Sequence, residues 1–193
     1  MNTRIAPASP PYTDRVTEDL TKLMPPGAAP LGLFRTLAKN PRVLRRIRRG
    51  GLLDPGSITL RQRELVILRT TALTGAEYEW GVHVLYFGAA AGFEAPCLYA
   101  TVWGGADAPS WTADEALLVR MCDELHATAR ISEPLWAALR ERLAEEQILE
   151  LLVLAGLYQM ISYVVLGAEI ALEEGAPRFP SQADAGAHSP RAR

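Results

Sequence analysis

Glu79 and His83 stand four residues apart in GAEYEWGVHVLYFGAAAGF, a stretch almost free of other charge. On a helix this spacing puts both side chains on one face, within reach of a hydrogen bond. A carboxylate beside an imidazole fixes its tautomer and raises its proton affinity, making a group able to give or take a proton near neutral pH. Glu64, in RQRELVILR, has Leu65, Ile67 and Leu68 around it. Such apolar neighbours partly desolvate a carboxylate, so Glu64 is a second candidate proton carrier. Arg69, about a turn further on, is placed to pair with Glu64 or with a substrate carboxylate. Tyr78, Trp80 and Tyr86 surround the Glu79–His83 pair with aromatic surface and are candidate substrate contacts. Glu and His at this spacing also occur on exposed helices as a weak stabilising pair. A polar pair on an otherwise apolar helix is expected instead in a pocket or in the interior, where it must be satisfied.

Other reactive residue types have plainer explanations. Cys97 and Cys122 form no CxxC and have no metal-ligand spacing, so a reducing cytoplasm is expected, with structural roles for both thiols. No metal site and no cofactor are expected. Arg61 and Arg63 read as a solvated helix start, His126 as an edge residue, and Trp103, Trp111 and Trp136 as packing anchors.

The elements that must position these groups are all helical. No segment alternates as a half-buried strand would, so the fold class is all-α, with about six to eight helices. Asn40-Pro41 opens one helix, which stops at Gly50-Gly51. Thr59 and Gln62 form a capping box before ELVILRTTAL, and Thr112 and Glu115 form another. Between them, a helix from about Ala76 to Ala91 carries the Glu79–His83 pair and ends at Gly92. Ser132 is a further N-cap, and a last helix runs from about Glu145 to Glu174. Residues 1–11 and 176–193 are rich in Pro, Ser and Gly without apolar period, so they are set aside as an N-terminal tail and a disordered C-terminal tail. His188 falls in the latter. One domain, 12–175, remains.

The chain has 193 residues, 49% hydrophobic and 22% charged, which suits a single folded core. A net charge of −2 argues against binding nucleic acid by neutralising phosphates. Residues 41–63 are rich in Arg and residues 114–174 are mostly acidic, so these regions are expected to face each other within or between subunits. The start, MNTRIAPASPPYTDR, has no apolar run behind its arginine and does not read as a secretory signal. Leu151 to Ala168 carries no formal charge; with Tyr158, Gln159, Ser162 and Tyr163 inside it, it reads as a core or interface helix and not a membrane span.

RQRELVILRTTALTGAEYEWGVHVLYFGAAAGF resembles the signature of the carboxymuconolactone decarboxylase family, whose fold is shared with AhpD-like alkylhydroperoxidases. The resemblance is sharpest over residues 59–93 and continues loosely to the ELLVLAGLYQMISYV helix. In the peroxidase branch an upstream Glu precedes C-x-x-C-x-x-x-H, and the Cys pair does the redox work. Aligned on His83, this chain has Ala76 and Glu79 at the Cys positions, with Glu64 matching the upstream Glu. It is therefore similar to the decarboxylase-like branch. Thiol peroxidase chemistry needs a reactive thiolate and a resolving thiol, which this motif lacks. The resemblance implies an AhpD-like fold with a helix-hairpin core, assembled as homo-oligomers in trimers or multiples of them. It also implies a cofactor-independent lyase or isomerase acting on a small lactone or carbonyl compound. His83 would carry the proton, Glu79 would orient it, and Glu64 would be a second acid–base group. The first alternative is a non-catalytic, ligand-binding or scaffold member of the same fold, and the second, behind it, an alkylhydroperoxidase-like thiol peroxidase working through Cys97 or Cys122.

Overall fold

A computed structural model of the chain describes residues 3–182. His188 and the rest of the expected C-terminal tail beyond residue 182 lie outside the described residues. Among those described there are nine α-helices and no strand. They are α1 (Asp14–Leu23), α2 (Gly32–Leu37), α3 (Pro41–Arg49), α4 (Leu60–Leu73), α5 (Glu77–His83), α6 (Ala95–Tyr99), α7 (Ala113–Thr128), α8 (Glu133–Arg142) and α9 (Glu145–Gly167). The all-α expectation holds, with one helix more than the upper count read from the sequence.

Helix α4 is central because every residue from Arg63 to Thr71 is buried, the pattern of a helix covered on all sides. It packs against α5, α7 and α9. One half of the core gathers Ile67, Leu68, Trp80, Met121, Leu151 and Leu154 around it. The other half, with Leu20, Leu33, Leu44, Val82 and Ile161, joins α1, α2 and α3 to α5 and the end of α9. Helix α9 is long and apolar enough to cross a membrane by length and composition. Its inner face, with Leu151, Leu154, Tyr158, Ile161 and Val165, is built into both halves of this core.

The capping signals act as the residue types require. Asn40 accepts from the Val43 amide, and both Thr59–Gln62 and Thr112–Glu115 close as reciprocal boxes. Ser132 does not cap α8; its hydroxyl donates to Glu124 instead. The helix expected over 76–91 is two pieces: α5, then a π-helical turn over Val84–Gly88. Gly92 does take the left-handed conformation, with φ of 72°. Helix α9 stops at Gly167, short of Glu174, where Glu169 turns the chain with φ of 49°.

The described parts of both tails touch the helices. The Arg4 amide donates to Ala168 O at 2.9 Å, and the Ala8 amide donates to Arg35 O at 3.0 Å. At the other end, residues 176–182 cross α5. Phe179 sets its ring edgewise to Trp80 at 5.4 Å, and its amide donates to Glu77. Gly81 makes this crossing possible: a Cβ there would lie 2.3 Å from Pro177 O. Trp103, expected as a core anchor, is 47% exposed and donates to Pro180 O from the rim of the same strap. Of the expected contacts between basic and acidic regions, Arg61 meets Glu115. Arg45 and Arg48 turn instead to Asp19 of α1, which is buried between them.

Candidate active site

The site is made by the register of the α4–α5 hairpin. Three residues, 74–76, join the helices, and Gly75 takes φ of 75° to make the reversal. The Ala76 amide donates to Thr71 O at 2.8 Å, which fixes the closed end. Each helix then runs back along the other, and two turns away Glu64 meets His83. Glu64 Oε2 lies 2.7 Å from His83 Nδ1, and Glu79 Oε1 lies 3.5 Å from Nε2. The imidazole is therefore held between two carboxylates, one from each helix of the hairpin. Beyond Glu64, Arg63 donates from Nε to Glu64 Oε1 at 2.8 Å and from Nη1 to Leu53 O at 2.8 Å. The order along the chain of contacts is Arg63, Glu64, His83, Glu79.

All four groups are buried or nearly so. Burial by itself pushes the His83 imidazole towards its neutral form; the hydrogen bonds and charges of Glu64 and Glu79 outweigh it and lift the pKa from an ordinary 6.5 to about 9. The ring is thus an imidazolium at neutral pH, donating from Nδ1 to Glu64 with Glu79 at ion-pair distance from Nε2. Two cations and two carboxylates compensate one another, as buried charge requires. The π-helical turn after His83 brings the Phe87 ring to 5.4 Å from the imidazole, and the Arg63 guanidinium lies over the Phe87 ring at 5.0 Å. Such turns recur at functional sites because they re-aim side chains within a helix.

His83 and Glu79 open on a cavity of about 730 Å³ between the hairpin, the α1–α3 layer and α9. Its lining is mostly apolar, with Leu33, Phe34, Leu52, Phe87, Leu157 and Ile161. This is the size and character of a small-molecule pocket. Glu79 Oε2 is buried there without a hydrogen-bond partner. Tyr158 sets its ring edgewise to His83, 4.9 Å between centroids at 85°.

The structure brings together Glu64, Glu79 and His83, but in an order unlike the expected one. Glu64 makes the short bond and orients the ring, while Glu79 makes the longer contact, lines the cavity and has its Oε2 buried without a hydrogen-bond partner. Among the expected substrate contacts, Tyr86 lines the cavity and three others do not. Arg69 is bound to Asp123 at 2.6 Å and to Thr101 O at 2.9 Å on the α7 side of α4. Trp80 lies in the core and donates to Thr101 Oγ1. Tyr78 accepts from the Leu33 amide and donates to Glu173.

Sequence reasoning missed Arg63, Phe87 and Tyr158. Arg63 looked like a solvated helix start, but the segment before α4 brings Leu53 O to it and the Phe87 ring lies against it. Tyr158 did carry a signal, as a polar side chain inside an uncharged apolar helix. Cys122 is buried, which pushes its thiol up to about 12, and neither it nor Cys97 lines the cavity. Among the described residues no three His, Cys, Asp or Glu side chains are grouped so as to hold a metal ion.

No family model and no curated protein sequence matches this chain. Solved structures do. An uncharacterised peroxidase-related protein from Silicibacter sp. TM1040 superposes with a TM-score of 0.78 at 14% identity, covering 92% of this chain and 96% of its own. The debrominase Bmp8, bound to 2,3,4-tribromopyrrole, superposes with a TM-score of 0.75 at 12% identity, covering 90% and 94%. A protein of unknown function from Agrobacterium tumefaciens, described as a possible AhpD antioxidant-defence protein, gives 0.64 at 16% identity, covering 71% and 94%. These likenesses establish the fold, and the fold is the AhpD-like one.

Proposed function

We propose that this chain is a cofactor-independent acid–base catalyst of the carboxymuconolactone decarboxylase type, a lyase or isomerase that moves a proton on a small lactone or carbonyl compound. The observation that carries this is the imidazolium of His83 clamped between Glu64 and Glu79 at the wall of an apolar cavity. The motif of residues 59–93 and the AhpD-like fold agree with it. A five-membered ring in the Bmp8 complex gives a precedent, in that protein, for a small planar ligand on this fold.

Glu64, itself anchored by Arg63, fixes the ring so that Nε2 faces Glu79. The Glu79 carboxylate on the cavity wall reaches the substrate, and His83 is the proton store beside it. For a decarboxylation, the C–C bond to the carboxylate breaks and carbon dioxide leaves. The electron pair delocalises into the unsaturated lactone as a dienolate, and the His83–Glu79 pair delivers a proton to carbon. For an isomerisation, the same pair removes a C–H proton and returns it at the conjugated position. A purely structural pair would be expected to satisfy all its buried oxygens, and Glu79 Oε2 is left over. The exposed Leu149, Val153, Tyr163 and Leu166 of α9 support the further proposal that copies of the chain associate through this helix. The free thiols accord with a cytoplasmic setting.

The test is proton exchange on α-angelica lactone, an enolisable unsaturated lactone, in deuterium oxide, followed by NMR. Wild type should catalyse deuterium uptake and migration of the double bond. His83→Gln and Glu79→Gln should each lose about 10²-fold or more while remaining folded by circular dichroism. A folded His83→Gln protein exchanging at the wild-type rate would remove the imidazole from the reaction.

A further inference from the structure

Tyr158 sits on the inner face of α9, 4% exposed, with its ring against His83 and its side chain on the cavity wall. Buried phenols are normally hydrogen-bonded. Tyr78 obeys this rule on both sides, accepting from Leu33 N and donating to Glu173. Among the described residues the Tyr158 hydroxyl has no hydrogen-bond partner, although its ring packs against His83. Next to His83 the cavity wall therefore offers two polar groups to a ligand: a donor, the Tyr158 O–H, and an acceptor, the Glu79 carboxylate. The charged side chains Lys22, Arg48, Arg49 and Asp54 lie on the α1–α3 side of the cavity, and Arg48 and Lys22 are occupied by Asp19 and Glu18.

We propose that Tyr158 donates a hydrogen bond to the carbonyl oxygen of the substrate, so that the cavity selects an apolar ring compound with a carbonyl conjugated to an acidic C–H. This rests on the acid–base function proposed above and names its substrate class. The carbonyl accepts from Tyr158 while the C–H faces the Glu79 carboxylate, so one ligand engages both groups. When the proton passes to Glu79, the C–H electron pair moves into the carbonyl. The resulting enolate oxygen then takes the Tyr158 hydrogen bond, which strengthens as the charge develops. Return of the proton to carbon completes the cycle, with no oxidant or reductant. Burial, and the negative charge of Glu79 and Glu64 close by, hold the phenol well above its ordinary range. It stays a donor throughout and does not compete as the base.

The test uses tetronic acid, whose enolate anion at neutral pH imitates the deprotonated lactone, with Kd measured by calorimetry for wild type and Tyr158→Phe. The ring and its contact with His83 survive this substitution, so melting temperatures should agree within a few degrees. Wild type should bind tetronate, and Tyr158→Phe should bind about ten- to a hundredfold more weakly, the range for one hydrogen bond to a charged acceptor. Binding by the variant within twofold of wild type would overturn the assignment, as would a wild type that binds no tetronate at millimolar concentration. The exchange assay on α-angelica lactone separates this from the underlying function. If Tyr158→Phe exchanges and binds as wild type does while His83→Gln is inactive, Tyr158 is dismissed and the acid–base centre stands. If His83→Gln exchanges normally, the centre itself falls.

Discussion

Substituting His83 by Gln should flatten the alkaline limb of the protein's stability curve. The folded-state pKa of His83 is raised to about 9 against an ordinary 6.5, so the folded protein holds this proton more tightly than the unfolded chain does. Below pH 6.5 both states are protonated and the stabilisation is fully present. Between 6.5 and about 9 the unfolded chain has lost the proton and the folded protein has not, so stability declines as pH rises. Above about 9 the contribution is gone. At 1.36 kcal/mol per pH unit the full effect is about 3 kcal/mol, an upper value because the buried carboxylates rearrange with the ring. For a domain of this size that is about 6–12 °C in melting temperature. Thermal unfolding of wild type and His83→Gln from pH 6 to 9.5 at constant ionic strength isolates it, since other titrating groups cancel in the difference. Wild type should lose about 6–12 °C more than the variant across that window, and the His83 ring protons should titrate by NMR near pH 9. Parallel curves, or a ring titrating near 6.5, would refute the two-carboxylate clamp. The catalytic counterpart is a rate that declines as pH rises through about 9, when the imidazolium store empties.

Two further outcomes follow from contacts away from the clamp. Gly81→Ala places a methyl group 2.3 Å from Pro177 O, so residues 176–182 must lift from α5. Phe179 should then leave Trp80, seen as faster proteolysis and amide exchange at the C-terminal end; unchanged protection there would show that the strap is not seated through Gly81. Arg69→Ala should cost about 1.5–3 kcal/mol, the range for losing hydrogen bonds of a charged group, because Asp123 and the Thr101 carbonyl lose their partner. KM in the lactone exchange assay should not move, and a raised KM with unchanged stability would return Arg69 to the substrate.

What the sequence determined by itself were the properties carried by local spacing. Thr59 and Gln62 specify a helix start in four residues, and Gly75 and Gly92 mark reversals that need left-handed backbone. The apolar run around Glu64 marks a carboxylate partly withdrawn from water, and Glu79 and His83 share a face by helical period alone. What tertiary structure decided is which carboxylate owns the imidazole. Glu64 is nineteen residues before His83, and only the antiparallel register of α4 and α5 brings it to 2.7 Å. Arg63 became an anchor because the Phe87 ring folds against it and Leu53 O accepts from it, Tyr158 became a cavity wall because α9 crosses the hairpin, and Arg69 left the site because α4 turns it towards α7. Local pattern fixes the face a side chain leaves from; what it meets depends on contacts distant in sequence, which no single stretch encodes.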